Sequence, residues 1–194
     1  SRGLQIYKRP LAAHRLHLRI PAEAHVVMGH TRMTTQGSAK KNYNNHPFFG
    51  CVKGKRFALA HNGVIWNDLE LRRTKHLPRT KVQTDSFIAV QLIEQQKSLD
   101  FSSLRYTAEA VEGSFSFTAL SEQDELWLVK GDNPLTIVHL PKVGVYTYAS
   151  TSEILNKALA RCGNWLGRGE KVDIAMGDIV KIDRKGRITR GAFD

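Results

Sequence analysis

Residue types suited to binding and polarising a small molecule are concentrated in four short segments of this sequence. These segments are residues 29–37 (GHTRMTTQG), 45–47 (NHP), 61–67 (HNGVIWN) and 83–86 (QTDS). A guanidinium binds a carboxylate through two parallel hydrogen bonds, and a carboxylate can pair with an ammonium group. Preformed N–H donors stabilise an oxyanion. The four segments contain the side-chain types that such chemistry requires.

Each segment also has an ordinary structural interpretation. The Asn-Gly pair at 62–63, between apolar residues, is typical of a hairpin turn. The Thr-Asp pair at 84–85, before an apolar stretch, is typical of a helix N-terminus. The His-Pro pair at 46–47 fits a turn, and a lone Arg32 fits a solvated surface position. Taken alone, each segment favours this ordinary interpretation.

Hydrophobic periodicity predicts the elements that must position these segments. Strands are predicted at residues 4–7, 24–29, 56–60, 64–66, 114–120, 125–130, 135–140, 144–149, 178–183 and 188–189. Helices are predicted at 11–20, from 67 or 68 onward, and at 86–95, 104–111 and 153–161, with a long polar loop at 31–45 and a turn at 61–63. Clusters of strands followed by helices and then by hairpin-linked strands favour an α+β fold with antiparallel sheets over a βαβ repeat.

Composition limits the class of protein. The chain has 194 residues, of which 41% are hydrophobic, so it is suited to one domain with a true core. No apolar run approaches the roughly 20 residues that cross a bilayer, and no signal-peptide pattern opens the sequence. We therefore expect a cytoplasmic protein. Cys51 and Cys162 form no metal-ligand spacing and are interpreted as buried, reduced thiols, with a single disulfide as the alternative.

Charge is distributed unevenly along the chain. Residues 1–83 contain 16 Lys and Arg against three acidic residues, whereas the remainder has more acidic than basic residues. Such asymmetry is found in proteins that bind nucleic acid or an acidic partner, but it also fits a solvated basic face. We favour the solvated face, because no nucleic-acid-binding motif accompanies the charge.

Taken together, the motifs resemble those of class II glutamine amidotransferases. That family has a "GHTR.AT.G" segment, then "N.HP", "HNG.I.N" and "TD(S/T)E", in the order found here. Further segments at 112–120, 133–135, 149–153 and 176–179 are similar to the family's "GSFA", "PL", "ASE" and "GDI" segments. The resemblance implies the four-layer α/β/β/α sandwich of N-terminal nucleophile hydrolases. It also implies a single domain over residues 1–194.

The resemblance implies a role for particular residues. The substrate-binding residues would be Arg32 for the carboxylate of glutamine, Asp85 for its ammonium group, and Thr35 and His46 for further contacts. The Asn62 side chain and the Gly63 backbone N–H would form the oxyanion hole. No metal or organic cofactor is implied. Phe87 departs from the family, which has a glutamate at that position, and we expect a changed pocket wall or helix cap there.

The nucleophile of the family is an N-terminal cysteine, the first residue of a "CGI.G" strand. Neither this cysteine nor this strand is found in the sequence. Three interpretations are open: the first strand is absent from the sequence as given, the protein is an inactive relative, or Ser1 is itself the nucleophile. We favour the first. Cys51 is a poor substitute, because no terminal amine stands beside it to act as the base.

The implied function is hydrolysis of L-glutamine to glutamate and ammonia, with the ammonia passing to an acceptor on a synthase held elsewhere. A related amidase of the same fold is the enzyme alternative. The other alternative is an inactive binding module that holds nucleic acid or an acidic partner through its basic half. Nucleic acid is the less favoured partner, and no membrane association is expected.

Overall fold

The computed structural model describes residues 3–33 and 36–194 and contains two antiparallel sheets. The strands are β1 (Phe48–Val52), β2 (Lys55–Ile65), β3 (Gly113–Ser121), β4 (Leu126–Lys130), β5 (Thr136–Leu140), β6 (Val145–Ala149), β7 (Glu170–Val172), β8 (Asp178–Ile182) and β9 (Ile188–Ala192). The larger sheet has the order β1-β2-β3-β4-β8-β9, and the smaller sheet has the order β6-β5-β7.

Within residues 3–33 and 36–194, four α-helices pack against the sheets or against one another. They are α1 (Asp68–Thr74), α2 (Phe87–Gln96), α3 (Phe101–Ala110) and α4 (Ser152–Cys162). Helix α2 packs on β1 and α3 on β8 and β9, whereas α4 packs on β6 of the smaller sheet. No helix in the described parts of the chain is long and apolar enough to cross a membrane.

Two hydrophobic clusters account for the layering. One lies between the larger sheet and helices α1 to α3, and it includes Phe57, Phe117, Ile88 and Leu92. The other lies between the two sheets, where Leu128 and Val180 of the larger sheet meet Ile137 of β5. Alternate residues of a strand face opposite sides, so β4 and β8 contribute to both clusters. The expected α+β fold with four layers and antiparallel sheets is therefore confirmed.

The N-terminal region differs from the expectation. Residues 4–7 and 24–29 were predicted as strands and 11–20 as a helix, but only a 3-10 turn at Ala13–Arg15 forms there. These segments have suitable apolar patterns, but no described strand pairs with them. Strands β1 and β7, in contrast, form without having been predicted.

The most consequential error concerns residues 61–63. The Asn-Gly pair was predicted as a turn between two strands, but β2 runs without interruption from Lys55 to Ile65. Its ladder with β3 continues from Phe57↔Ser121 through Asn62↔Ser116 to Ile65↔Gly113. Long-range pairing with β3 therefore overrides the local turn preference.

Both cysteines are exposed free thiols, which contradicts the expectation that they would be buried. Cys51 lies on β1, where buried and exposed residues alternate and the cysteine takes an exposed position. Its backbone N–H faces away from β2 and donates a hydrogen bond of 2.9 Å to Glu94 Oε1 on α2. The edge strand is thus covered at this position by a carboxylate.

Candidate active site

The candidate site is built around the second half of β2, where β1 no longer covers the strand. Strand β1 pairs with β2 only as far as Leu59. Beyond that point one side of β2 pairs with β3, and the other side faces the 30–46 segment and the start of α2. Residues 61 to 65 are therefore the part of the strand that other segments can reach.

Alternate residues of this half of β2 direct their backbone polar groups away from β3. Gly63 pairs with Phe115, whose N–H donates to Asp132 Oδ1 at 2.8 Å instead of to β2. In an antiparallel ladder such a pair exchanges no hydrogen bonds, and the same holds for every second residue. The Gly63 N–H consequently lies on the open side of the strand.

The neighbours of Gly63 in this row are both held by side chains. His30 Nε2 donates to the His61 carbonyl oxygen at 3.0 Å. On the other side, Asp85 Oδ2 accepts a hydrogen bond of 2.7 Å from the Ile65 N–H. These two contacts fix the strand two residues before and two residues after Gly63, so they restrict the position of its N–H.

Glycine is required at position 63 by its backbone conformation. Its φ is 140°, a region that side-chain-bearing residues rarely adopt. A Cβ built there would collide with the Ser114 carbonyl and with the Asn133 amide. Asn133 in turn donates from Nδ2 to the Asn62 carbonyl oxygen at 2.7 Å. The β4–β5 loop therefore clamps the strand from the β3 side.

The Asn62 side chain is directed towards the space between the two sheets. A cleft of about 890 Å³ lies there, bordered by Asn62, His30, Ser116, Tyr146 and Tyr148. The Asn62 side chain is exposed, so its amide is accessible from this cleft. The two residues expected to form the oxyanion hole are thus adjacent, with Asn62 exposed and Gly63 partly exposed, and they lie on a strand braced on both sides.

A buried polar chain links Asp85 to β2. Ser86 Oγ donates to Asp85 Oδ1 at 3.4 Å, and Ser86 Oγ and His61 Nδ1 are hydrogen-bonded at 2.8 Å. All three residues are almost fully buried. Burial lowers the pKa of His61 to about 4, although the neighbouring Asp85 opposes the shift. His61 is therefore neutral at pH 7.

His46 lies against this network but has no described hydrogen-bonding partner. Its ring contacts the His30 ring in a tilted arrangement, with centroids 4.0 Å apart, and meets Phe48 edge-on at 4.5 Å. Both ring nitrogens are buried and without a partner among residues 3–33 and 36–194. Burial, followed by the nearby His30, His61 and Arg32, holds the pKa of His46 well below its usual value.

Arg32 is directed at the loop that follows it. Its Nη1 donates to Asn45 Oδ1 at 3.0 Å, and its Nη2 donates to the carbonyl oxygens of Gln36 and Gly37. A guanidinium has five N–H donors, so these three contacts leave donors for a ligand. Burial lowers the pKa of Arg32, whereas the charge of Asp85 raises it.

The remaining expected residues have different outcomes. Thr35 lies outside the described residues. Asp85 is only 2% exposed, and one of its oxygens is already used by Ile65. Phe87 is the first residue of α2 and packs edge-on against Phe48 at 5.6 Å between ring centroids. It belongs to the core next to the site.

No described cysteine is placed to act as the nucleophile. Cys51 pairs with Arg56, six residues before Asn62 on β2, which corresponds to about 20 Å along a strand. Cys162 is exposed at the end of α4. Among the described residues, no group of three or more His, Cys, Asp or Glu is arranged to hold a metal ion.

Several contacts at the site were missed by sequence reasoning. The sequence indicated Asn133 only as part of a turn, and it gave no role to Ser86, His30 or the side chain of His61. The signal that would have revealed them is the pairing of β2 with β3, because that register brings 61–65 next to 113–117 and the following loop.

Comparisons with known proteins bear on the family and fold of this chain. Residues 30–157 match a protein-family model described as "Glutamine amidotransferase domain". Over 120 residues the chain is 34% identical to glutamine–fructose-6-phosphate aminotransferase (isomerizing) from Streptococcus agalactiae. The match covers 57% of this chain and 19% of the relative. The same enzyme from Bacillus thuringiensis is 36% identical over 121 residues, covering 59% and 20%. The chain thus spans about a fifth of the length of these relatives.

Solved structures show the same fold at lower sequence identity. Glutamine phosphoribosylpyrophosphate amidotransferase from B. subtilis, solved with ADP and GMP, superposes with a TM-score of 0.67 at 18% identity, covering 85% of this chain and 34% of that one. A second structure, that of the allosteric regulatory enzyme of purine biosynthesis, has a TM-score of 0.63 at 18% identity. The match covers 79% of this chain and 32% of that one.

Proposed function

This chain belongs to the class II glutamine amidotransferase family, and from that premise we propose that it forms a glutaminase site that hydrolyses L-glutamine to glutamate and ammonia. The observation that carries the proposal is the arrangement of Asn62 and Gly63 on the open half of β2. There an amide side chain borders the inter-sheet cleft, and a backbone N–H is held between two fixed neighbours.

In this proposal Asn62 and Gly63 stabilise the oxyanion that forms when the glutamine amide carbonyl is attacked. Donors fixed before the reaction need no reorganisation as charge develops. The bracing by His30, Asp85 and Asn133 supports this, because it restricts the strand on which both donors lie.

The substrate-binding part of the proposal assigns the glutamine carboxylate to the free donors of Arg32. The ammonium group is assigned to Asp85, whose second oxygen has only a weak contact of 3.4 Å with Ser86. His46 is neutral, and its ring nitrogens have no hydrogen-bonding partner among the residues that the structure describes, so they are suited to a hydrogen bond with the substrate. Thr35 stays an expectation, as does the single domain over residues 1–194.

The nucleophile is proposed to be an N-terminal cysteine supplied by a segment outside the 194 residues, with its own α-amino group as the base. That amine has a pKa of about 7.7–8.0 and accepts a thiol proton near neutrality. The acceptor of the ammonia would lie on a synthase, in further parts of the protein or on another chain.

The decisive experiment uses protein produced from the complete native gene. Glutaminase activity is measured by ammonia release, and the protein is treated with 6-diazo-5-oxo-L-norleucine and mapped by mass spectrometry. We expect glutamine hydrolysis and a single label on an N-terminal cysteine. A labelled Cys51, or a native protein that begins at Ser1, would contradict the proposal. Glutamine binding without hydrolysis in that protein would favour the inactive binding module.

A further inference from the structure

Two basic clusters in the first 83 residues, at 72–75 (Arg72, Arg73, Lys75) and at 53–56 (Lys53, Lys55, Arg56), have different surroundings. Arg72 is used inside the protein, since its guanidinium donates to Gln91 Oε1 at 3.0 Å and to the Thr84 carbonyl at 3.3 Å. Lys75 lies over the ring of Tyr106, 5.3 Å from its centroid. Lys53 and Lys55, in contrast, belong to the β1–β2 turn, where they border a separate cavity. The second cluster thus borders a concave space, which makes it the more suitable of the two for a ligand.

The cavity has a volume of about 250 Å³ and lies where three chain reversals meet. They are the β1–β2 turn, the turn that follows α2, and the β3–β4 turn. Its basic lining residues are Lys53, Lys55, Arg56 and Lys97. Lys55 is seven residues from Asn62 on the same strand, about 23 Å away. The cavity is therefore distinct from the candidate active site.

The acidic groups around this cavity are already engaged. Glu122 forms an ion pair of 2.8 Å with Arg56. Glu125, which borders the cavity, forms an ion pair of 2.7 Å with Lys181. Of the nearby carboxylates on α2 and α3, Glu94 accepts the Cys51 N–H and Asp100 caps the first turn of its helix.

Three cations at the cavity are left without a counter-charge. Lys53, Lys55 and Lys97 form no ion pair with any residue that the structure describes. They carry an uncompensated charge of about three around one small concave space, which favours a multiply charged anion there.

The backbone at two of these lysines makes a sharp reversal beside the cavity. Lys53 has φ 49° and Lys97 has φ 60°, so both adopt the left-handed conformation. Glycine or asparagine is favoured at such positions, and a long side chain is disfavoured. Each of these two lysines therefore stands at a tight chain reversal that borders the cavity.

We propose that this cavity is a binding site for a small phosphorylated metabolite, held through its phosphoryl group by Lys53, Lys55 and Lys97. Lysine binds phosphate as a mobile point charge, and three ammonium groups match the charge of a phosphate ester or a diphosphate. The volume is below the range of about 300–1,000 Å³ that is typical for larger ligands. A small anion thus fits better than a nucleic acid strand.

The test measures binding of inorganic pyrophosphate by calorimetry, at about 50 and 200 mM salt. We expect saturable one-site binding that weakens with salt. The triple variant K53Q/K55Q/K97Q should bind about 10- to 100-fold more weakly, because each exposed ion pair contributes only a few-fold. A matched control, K142Q/K171Q/K185Q, removes the same charge from exposed lysines elsewhere and should retain the native affinity.

Three results with pyrophosphate and the glutamine variants would overturn the proposal, and a fourth comes from an arginine variant. The first is the absence of saturable binding at the lower salt concentration, and the second is equal weakening in the control variant. The third is binding of a single-stranded oligonucleotide without binding of pyrophosphate. The variant K53R/K55R/K97R keeps the charge and should retain binding. If this variant loses binding while its circular dichroism spectrum stays native, the proposal that these residues bind phosphate through their charge is wrong.

Discussion

The buried histidines make the stability of this protein sensitive to mild acid, and His61 allows the effect to be calculated. Its pKa is about 4 in the folded protein against an ordinary value of 6.5, because burial disfavours its charged form. At pH values between these two, the unfolded chain binds a proton that the folded protein does not. The free energy of unfolding therefore falls as the pH is lowered through this window.

The magnitude follows from the size of the pKa shift. Each pKa unit corresponds to about 1.4 kcal/mol, so His61 alone removes about 2 kcal/mol between pH 7 and pH 4.5. His46 and His30, whose pKa values are also lowered by burial, act in the same direction. A loss of this size is a large fraction of the typical stability of a domain.

Urea denaturation of the native protein and of His61→Gln at both pH values provides the assay. The variant is expected to be less stable at pH 7, since its contact with Ser86 is altered, but to lose about 2 kcal/mol less than the native protein on acidification. The exposed His14 offers a matched control, and His14→Gln should show the native pH dependence. If His61→Gln keeps the native pH dependence, the attribution to His61 is wrong.

Three further predictions concern the candidate site. Arg32→Ala should weaken glutamine binding by roughly 1.5–3 kcal/mol, measured by calorimetry, because a charge-assisted contact is lost; unchanged affinity in a folded variant would remove the carboxylate assignment. Asn62→Ala in the complete protein should lower kcat by about 10²–10³ through loss of an oxyanion donor, and a change confined to KM would argue against that role. Asn133→Ala should lower the free energy of unfolding by about 0.5–1.5 kcal/mol, since its bond to the Asn62 carbonyl is lost, and should lower kcat more than it raises KM; equal effects on both would indicate a general loss of structure.

The sequence predicted the chemistry-bearing segments better than it predicted their local structure. The four segments pointed to the correct family, and the periodicity indicated α2, α3 and most strands of the second half. The predicted turn at Asn62-Gly63 was wrong because the turn preference of that dipeptide is local. Nine residues of β3 pair with β2 through this point and override it. Sequence periodicity carries no information about which strand becomes the partner.

The N-terminal predictions failed for a related reason. An apolar pattern indicates a strand only if a neighbouring strand accepts its hydrogen bonds, and residues 4–29 have no such neighbour among the described strands. The positioning contacts at the site are equally nonlocal. His30 meets His61, and Asn133 meets Asn62, across separations of 31 and 71 residues. Only the assembled sheet brings them together.

The contact between Glu94 and the N–H of Cys51 has a consequence for association between molecules. An uncovered edge strand offers free N–H and C=O groups to which a strand from another molecule can add. On β1 the half-buried Glu94 carboxylate accepts a hydrogen bond from one of these N–H groups, that of Cys51. Burial raises the pKa of the Glu94 carboxyl. Acidification therefore neutralises Glu94 earlier than an ordinary glutamate and weakens its hold on the strand. Lowering the pH thus weakens one contact that covers this edge strand and makes the Cys51 N–H more available to a strand from another molecule.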